Sequence, residues 1–278
     1  MEKDQTVHER SASPVRLAFR VSYLGSRFFG SQIQAGCRTV EGDFIASCQR
    51  LGLFSDWREA GFLFSGRTDR GVHARGQVVA FSTEFPDRAI RTLNLQLPPD
   101  CWCTGYADMP HGFHPRYDAR SRTYRYYFSR LPADIAAMER ASLCFLGCHN
   151  FTNFARVKDK NPLRKILDIG IGREDGFVYL EVKAESFLWH QVRCMAEVLL
   201  LIGTGETDET FVTSLLAGEI KRALKPAPAE GLILWETDCG IEWRPMAEAE
   251  RSAAHIDHVE RDHTLVAKVC QVLRKPDF

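Results

Sequence analysis

The order of apolar patterns along the chain predicts an α+β fold: two ferredoxin-like (β-α-β-β-α-β) halves forming a mostly antiparallel sheet with helices on one face. Three observations lead there. Short segments alternate apolar and polar residues with period two, segments with a helical stripe fall between them, and the whole order occurs twice. No sequence identity links the two occurrences, so the repeat is one of pattern alone.

Residues 15–23 alternate as a half-buried strand should, with Leu17, Phe19, Val21 and Tyr23 on one side. A Gly-rich turn follows, and Thr39 is placed to cap a helix over residues 40–51 whose Val40, Phe44, Ile45 and Cys48 share a face. The apolar run 62–64 and residues 77–82 read as strands, 86–95 as a second helix, and 102–107 as the next strand. The second half starts with a strand at 123–129 and a helix at 132–145, with Pro132 near its start. Residues 164–172 and 177–184 make a hairpin across 173–176. Residues 187–202 form an apolar helix, 210–220 another, and 232–236 the last core strand. The chain therefore divides into a flexible tail (1–14), an N-terminal half (15–110), a C-terminal half (111–244) and a charged, partly helical extension (245–278). The bare face of each sheet is left available to a partner.

A chain of 278 residues, 45% apolar and 26% charged, has the composition of a soluble globular enzyme. No apolar run approaches the roughly 20 residues needed to span a bilayer, and the polar first residues lack a signal-peptide pattern. A cytoplasmic location is the expectation. Cys101-x-Cys103 and Cys144-x3-Cys148, the latter beside His149, lack a second ligand pair at zinc-site spacing. The nine cysteines read as reduced thiols, mostly buried. Lys and Arg number 36, matching 36 Asp and Glu, so net charge does not point to nucleic acid. Distribution does more: Arg116, Arg120, Arg122, Arg125 and Arg130 face a single acid, Asp118, which allows a basic surface on a neutral protein.

The chemistry concentrates in Gly66-Arg67-Thr68-Asp69-Arg70-Gly71-Val72-His73-Ala74-Arg75-Gly76, a stretch between strands. Its glycines admit backbone shapes that other residues resist. Physics alone leaves two readings open: a carboxylate held in place for chemistry, or an Asx turn at Asp69 with Arg67 as a surface partner.

Gly66-Arg67-Thr68-Asp69-x-Gly71-Val72-His73-Ala74 resembles the signature of the TruA-type tRNA pseudouridine synthases, whose catalytic aspartate matches Asp69. Five further stretches resemble the family in order. They are Tyr23-x-Gly25-x-x-Phe28-x-Gly30-x-Gln32-x-Gln34 with Arg38-Thr39-Val40-Glu41-Gly42; Phe113-His114-x-Arg116 with Arg122-x-Tyr124-x-Tyr126; His149-Asn150-Phe151-x-x-Phe154; Phe187-Leu188-x-His190-x-Val192-Arg193; and Ala227-Pro228-Ala229-Glu230-Gly231-Leu232. Together they cover roughly residues 15–238. Leu24, Ser31 and Arg70 depart from it, standing where Asp, Trp and Ala are frequent.

The resemblance implies isomerisation of uridine to pseudouridine in the tRNA anticodon arm, at positions 38, 39 and/or 40. It implies no cofactor, and a homodimer in which one tRNA touches both subunits. Asp69 is then the catalytic nucleophile, with Arg193 as the cation that keeps it ionised. The target base must leave its stack, at a cost of a few kcal/mol, and Tyr124 is the residue expected to stack on it; by pattern alone Tyr126 and Tyr127 look the same. Arg67 is expected to hold the flipped nucleotide or fill its place. Arg70, Arg75, Arg116, Arg120, Arg122 and Arg125 are expected on RNA phosphates. His73 and His190 read as hydrogen-bonded structural histidines. The rival from another class is an RNA-binding module without catalysis.

Overall fold

Leu17, Phe19, Val21 and Tyr23, alternate residues of Val15–Tyr23 (β1), are all buried in one continuous core. The computed structural model describes residues 13–157 and 161–274. After β1 come Val40–Arg50 (α1), Leu63–Phe64 (β2), His73–Thr83 (β3), Pro86–Gln96 (α2) and Cys101–Met109 (β4). Ser121–Tyr127 (β5), Ile135–Leu143 (α3), Gly147–Asn150 (β6), Leu163–Glu174 (β7) and Phe177–Ala184 (β8) follow. Gln191–Gly203 (α4), Glu209–Ala217 (α5), Leu232–Asp238 (β9), Arg244–Pro245 (β10) and Glu250–Leu273 (α6) complete the order. Up to residue 12, the tail expected over 1–14 lies outside the described residues, as do the last four residues of the extension.

The fold is α+β, with a mostly antiparallel sheet in the order β10-β4-β1-β3-β9-β5-β8-β7-β6 and β2 paired to β3. Within it, β4-β1-β3-β2 and β9-β5-β8-β7 repeat one strand order, as two β-α-β-β-α-β units require. The units join where β3 and β9 run parallel, His73 opposite Ile233 and Ala74 opposite Leu234. β2 pairs only with Val79 and Ala80, which leaves the other end of that β3 edge free for β9.

One apolar cluster runs from α1 and α2 to α3, α4 and α5, so these helices share a face of the sheet. Each fully buried Phe or Leu in it contributes roughly 1.5–3 kcal/mol. The other face is not bare along its whole length. Phe113, Ile241 and Trp243 close over Ala18, Val78 and Ala80, and Arg16 Nε donates to the Phe113 carbonyl at 2.9 Å.

Several boundaries move for local reasons. Thr39 caps α1 by accepting from Gly42 N–H at 3.2 Å. The helix expected from residue 132 starts at Ile135, because Asp134 Oδ1 takes the Ala137 N–H at 2.8 Å and fixes the first turn there. The turn between β7 and β8 is shorter than expected: Asp175 and Gly176, with φ of 49° and 82°, match the two-residue hairpin geometry that favours Asp-Gly. β3 begins at His73, four residues early, so the end of the glycine-rich motif is already strand. The helix expected from Phe187 starts only at Gln191. Among the described residues no helix is long and apolar enough to cross a membrane.

Candidate active site

The loop carrying Asp69 is fixed residue by residue. Thr68 N–H donates to Ser31 Oγ at 2.9 Å, Thr68 Oγ1 and Tyr23 Oη share a hydrogen bond of 2.8 Å, and Ser31 N–H returns to the Thr68 carbonyl at 3.1 Å. Ser31 and Tyr23 are themselves buried. The Asp69 carbonyl then accepts from Val72 N–H at 3.2 Å, closing a turn in which Gly71 has a φ of 84°; only glycine enters that region at little cost. Gly25 lets the backbone of Val72 approach so closely that a Cβ would sit 2.0 Å from its carbonyl oxygen. His73 ties the loop to both halves. Its Nδ1 accepts from Gly25 N–H at 3.0 Å and its Nε2 lies 3.2 Å from the Glu230 carbonyl, so the neutral tautomer with hydrogen on Nε2 satisfies both. Burial holds its pKa below the usual imidazole value, with the Glu230 contact opposing.

What this loop presents is one carboxylate, reached from the far half of the chain. Trp189 Nε1 donates to Asp69 Oδ1 at 2.8 Å, and Arg193 NH1 donates to Oδ2 at 3.1 Å. His190 Nε2 lies 3.3 Å from the same Oδ2. Arg193 is itself anchored, since its Nε donates to the Ala227 carbonyl at 2.7 Å and its own carbonyl accepts from Ala227 N–H. These partners meet because α4 does not extend to Phe187. His190 takes a left-handed φ of 68° and Gln191 Oε1 accepts from Leu188 N–H at 2.8 Å, which breaks the chain just before the helix. The Asp69 side chain keeps 27% exposure, enough for a ligand to reach it.

Other expected residues fall into three groups. Tyr124 faces the helical side, where its ring meets Phe187 edge-on at 5.2 Å. Burial pushes its phenol up to about 12, Arg122 opposing and Asp69 adding to the rise, so it stays a hydroxyl donor at neutral pH. Arg67 and Arg70 are exposed on the Asp69 loop, Arg70 lying over the Phe29 ring at 4.2 Å. Arg116 and Arg120 are exposed on the segment before β5. Two arginines are engaged elsewhere, and a third, Arg75, is exposed beside one of them. Arg122 donates to the carbonyls of Ser65, Arg116 and Glu185 at 2.8–2.9 Å, bracing the start of the motif from behind. Arg125 follows Tyr124 on a strand and so points to the opposite face, where it pairs with Glu181 and stacks on Trp235 at 3.7 Å. Arg75 lies over that same Trp235 ring, at 4.4 Å. Arg122 and Arg125, both expected on phosphates, thus have partners within the protein: three carbonyls for Arg122, Glu181 and the Trp235 ring for Arg125.

A family model described as tRNA pseudouridine synthase matches residues 141–238. The tRNA pseudouridine synthase A of Methanoculleus marisnigri is 52% identical over 267 residues, covering 95% of this chain and 98% of that protein. The chain belongs to the tRNA pseudouridine synthase A family. The enzymes of that name from Methanosphaerula palustris and Thermococcus onnurineus are 49% and 40% identical, over 93% and 87% of this chain and 92% and 91% of theirs. A chain of a solved Cbf5-Nop10-Gar1 complex overlaps 65% of this chain and 44% of its own length at 15% identity and a TM-score of 0.32, too distant to bear on function.

As a tRNA pseudouridine synthase, an isomerase acting on tRNA, this chain has to break a glycosidic bond and rejoin the same two fragments. A carboxylate with both oxygens oriented, each retaining acceptor capacity, is suited to that work. Trp189 and the Asp69 contact of His190 are not evident in the sequence. Trp189 occupies a variable position of the Phe187-Leu188-x-His190 stretch, and an indole in an apolar run looks like packing.

Proposed function

We propose that Asp69 is the catalytic carboxylate and that the substrate is a uridine in the tRNA anticodon arm, at position 38, 39 and/or 40, flipped out of its stack. The observation that carries this reading is the carboxylate drawn between Trp189, His190 and Arg193 while it remains open to the cleft. In the reaction the N1–C1′ bond breaks, the uracil turns, a C5–C1′ bond forms, the C5 proton leaves and N1 takes up a proton. Asp69 starts this as a nucleophile, and the Arg193 guanidinium on Oδ2 holds the carboxylate in place for that step. Tyr124 stacks on the displaced base, a contact worth about 1–3 kcal/mol per base, which offsets much of the cost of unstacking. Arg67 holds the flipped nucleotide, and Arg70, Arg75, Arg116 and Arg120 meet phosphates. The two halves, residues 15–110 and 111–244, supply one wall of the site each.

The same reading takes the enzyme as a homodimer. Helix α6 supports that part: Leu265, Val266, Val269, Val272 and Leu273 lie exposed along its last turns. A second copy of α6 laid antiparallel across these turns covers the apolar stripe with its own, the self-complementary contact that a two-fold axis gives. Sedimentation is expected to give a dimer; a monomer that modifies tRNA contradicts it. For the reaction itself, tRNA carrying tritium at uracil C5 is expected to release it on incubation, and to stop when the uridines at 38, 39 and 40 are replaced. Release that survives their replacement moves the target elsewhere, and tRNA binding without release leaves only an RNA-binding module.

A further inference from the structure

His190, whose ring reaches Asp69, also lines a cleft of about 740 Å³. Arg156, Lys221 and Arg222 stand in its walls, and its described lining includes no Asp or Glu. In a chain with equal numbers of acidic and basic residues, that imbalance calls for a cause. Several guanidinium groups elsewhere do have a carboxylate: Arg38 has Asp43 and Asp100, Arg140 has Glu209, and Arg244 has Asp108. Among the described residues no carboxylate pairs with Arg156, Lys221 or Arg222.

The walls are held in place, so these charges have defined positions. Asn153 Nδ2 donates to the carbonyls of Leu215 and Ile220 at 2.7 and 2.8 Å, and Asn153 Oδ1 accepts from Arg222 N–H at 3.4 Å. One side chain thereby pins the turn that presents Lys221 and Arg222. On the opposite wall Arg156 N–H donates to the Trp189 carbonyl at 3.1 Å, and its guanidinium lies over the Trp189 ring at 5.2 Å. That indole is the one donating to Asp69. The three cations therefore share a cleft with His190, whose ring lies 3.3 Å from the carboxylate.

We propose that this cleft is a phosphodiester track, in which Arg156, Lys221 and Arg222 hold the RNA strand next to the nucleotide presented to Asp69. The inference rests on the reading that Asp69 acts on a uridine within tRNA. Contacts of this kind position a strand without reading its bases, and they release counterions, so affinity falls as salt rises.

The test compares the wild type with Lys221→Ala/Arg222→Ala and with the charge-retaining Lys221→Arg/Arg222→Lys, using tRNA tritiated at uracil C5. The alanine pair is expected to raise KM about tenfold with kcat within about twofold. It should also flatten the slope of log Kd against log salt by about 1.5, as two lost phosphate contacts predict, and the charge-retaining pair should restore both. KM and slope equal to the wild type's in an alanine pair that still turns over overturn the track and leave the enzyme reading standing. Equal losses in both pairs overturn it too, since packing and not charge is then responsible. A wild type that binds tRNA but releases no tritium, with the alanine pair still flattening the salt slope, keeps the track and removes the enzyme reading.

Discussion

Asp69 is held by side chains more than a hundred positions away in sequence, and each of its oxygens is claimed by a different one. Removing Arg193 frees Oδ2 and unties the Ala227 carbonyl, so Arg193→Ala is expected to lower kcat about a hundredfold, the scale of a misplaced reacting group, with a smaller change in tRNA affinity. Loss of affinity with kcat retained would recast Arg193 as a phosphate contact. His73 makes a prediction about pH. Its imidazole is held below the usual pKa, so below about 6.5 the unfolded chain binds the proton more readily than the folded one. Stability from this group is complete above that pH and is lost as pH falls through the folded value. In urea unfolding between pH 7.5 and 5, His73→Asn, which keeps an acceptor for Gly25 N–H without titrating, is expected to show a flatter decline than the wild type; equal slopes contradict it. Motif resemblance singled out Asp69, Arg193 and Tyr124, and the structure brings the first two into contact. The arginine run was less informative, because charge counts ignore direction: strand parity alone separates Arg125 from Tyr124, and only folding reveals that the Arg122 donors go to three carbonyls.

Among the elements, the start of α4 matters most. The apolar run Phe187-Leu188 before Val192 fits a helical period, yet the helix begins at Gln191 because His190 adopts a left-handed backbone. A residue with a Cβ pays roughly 1–2 kcal/mol for that conformation, while the break aims Trp189 and His190 at Asp69. His190→Gly separates the two effects: thermal unfolding should show a fold as stable or up to about 1 kcal/mol more stable, and tritium release should be slower. A variant that loses stability and keeps its rate would make His190 a purely structural residue. Strands announced by alternation, such as β1 and β8, were legible to within a residue or two. Elements set by a local side-chain bond, like α3 at Asp134, were not, and nor was β6, four residues without an apolar alternation.

At the scale of the molecule, the site is a product of the joint between two similar units. Two repeated patterns in the sequence imply two sheets' worth of strands, but not that β2 would be short enough to admit β9 beside β3. That parallel contact sets the Asp69 loop against α4 and the Ala227–Gly231 region, so neither unit holds a complete site. The claim on which the account depends is that a single carboxylate from the first unit, oriented by the second, performs the isomerisation. Asp69→Asn preserves the shape and the Trp189 contact while removing the charge. It is expected to fold, to bind tRNA with nearly wild-type affinity, and to release no tritium from uracil C5; release at an appreciable fraction of the wild-type rate would contradict the account.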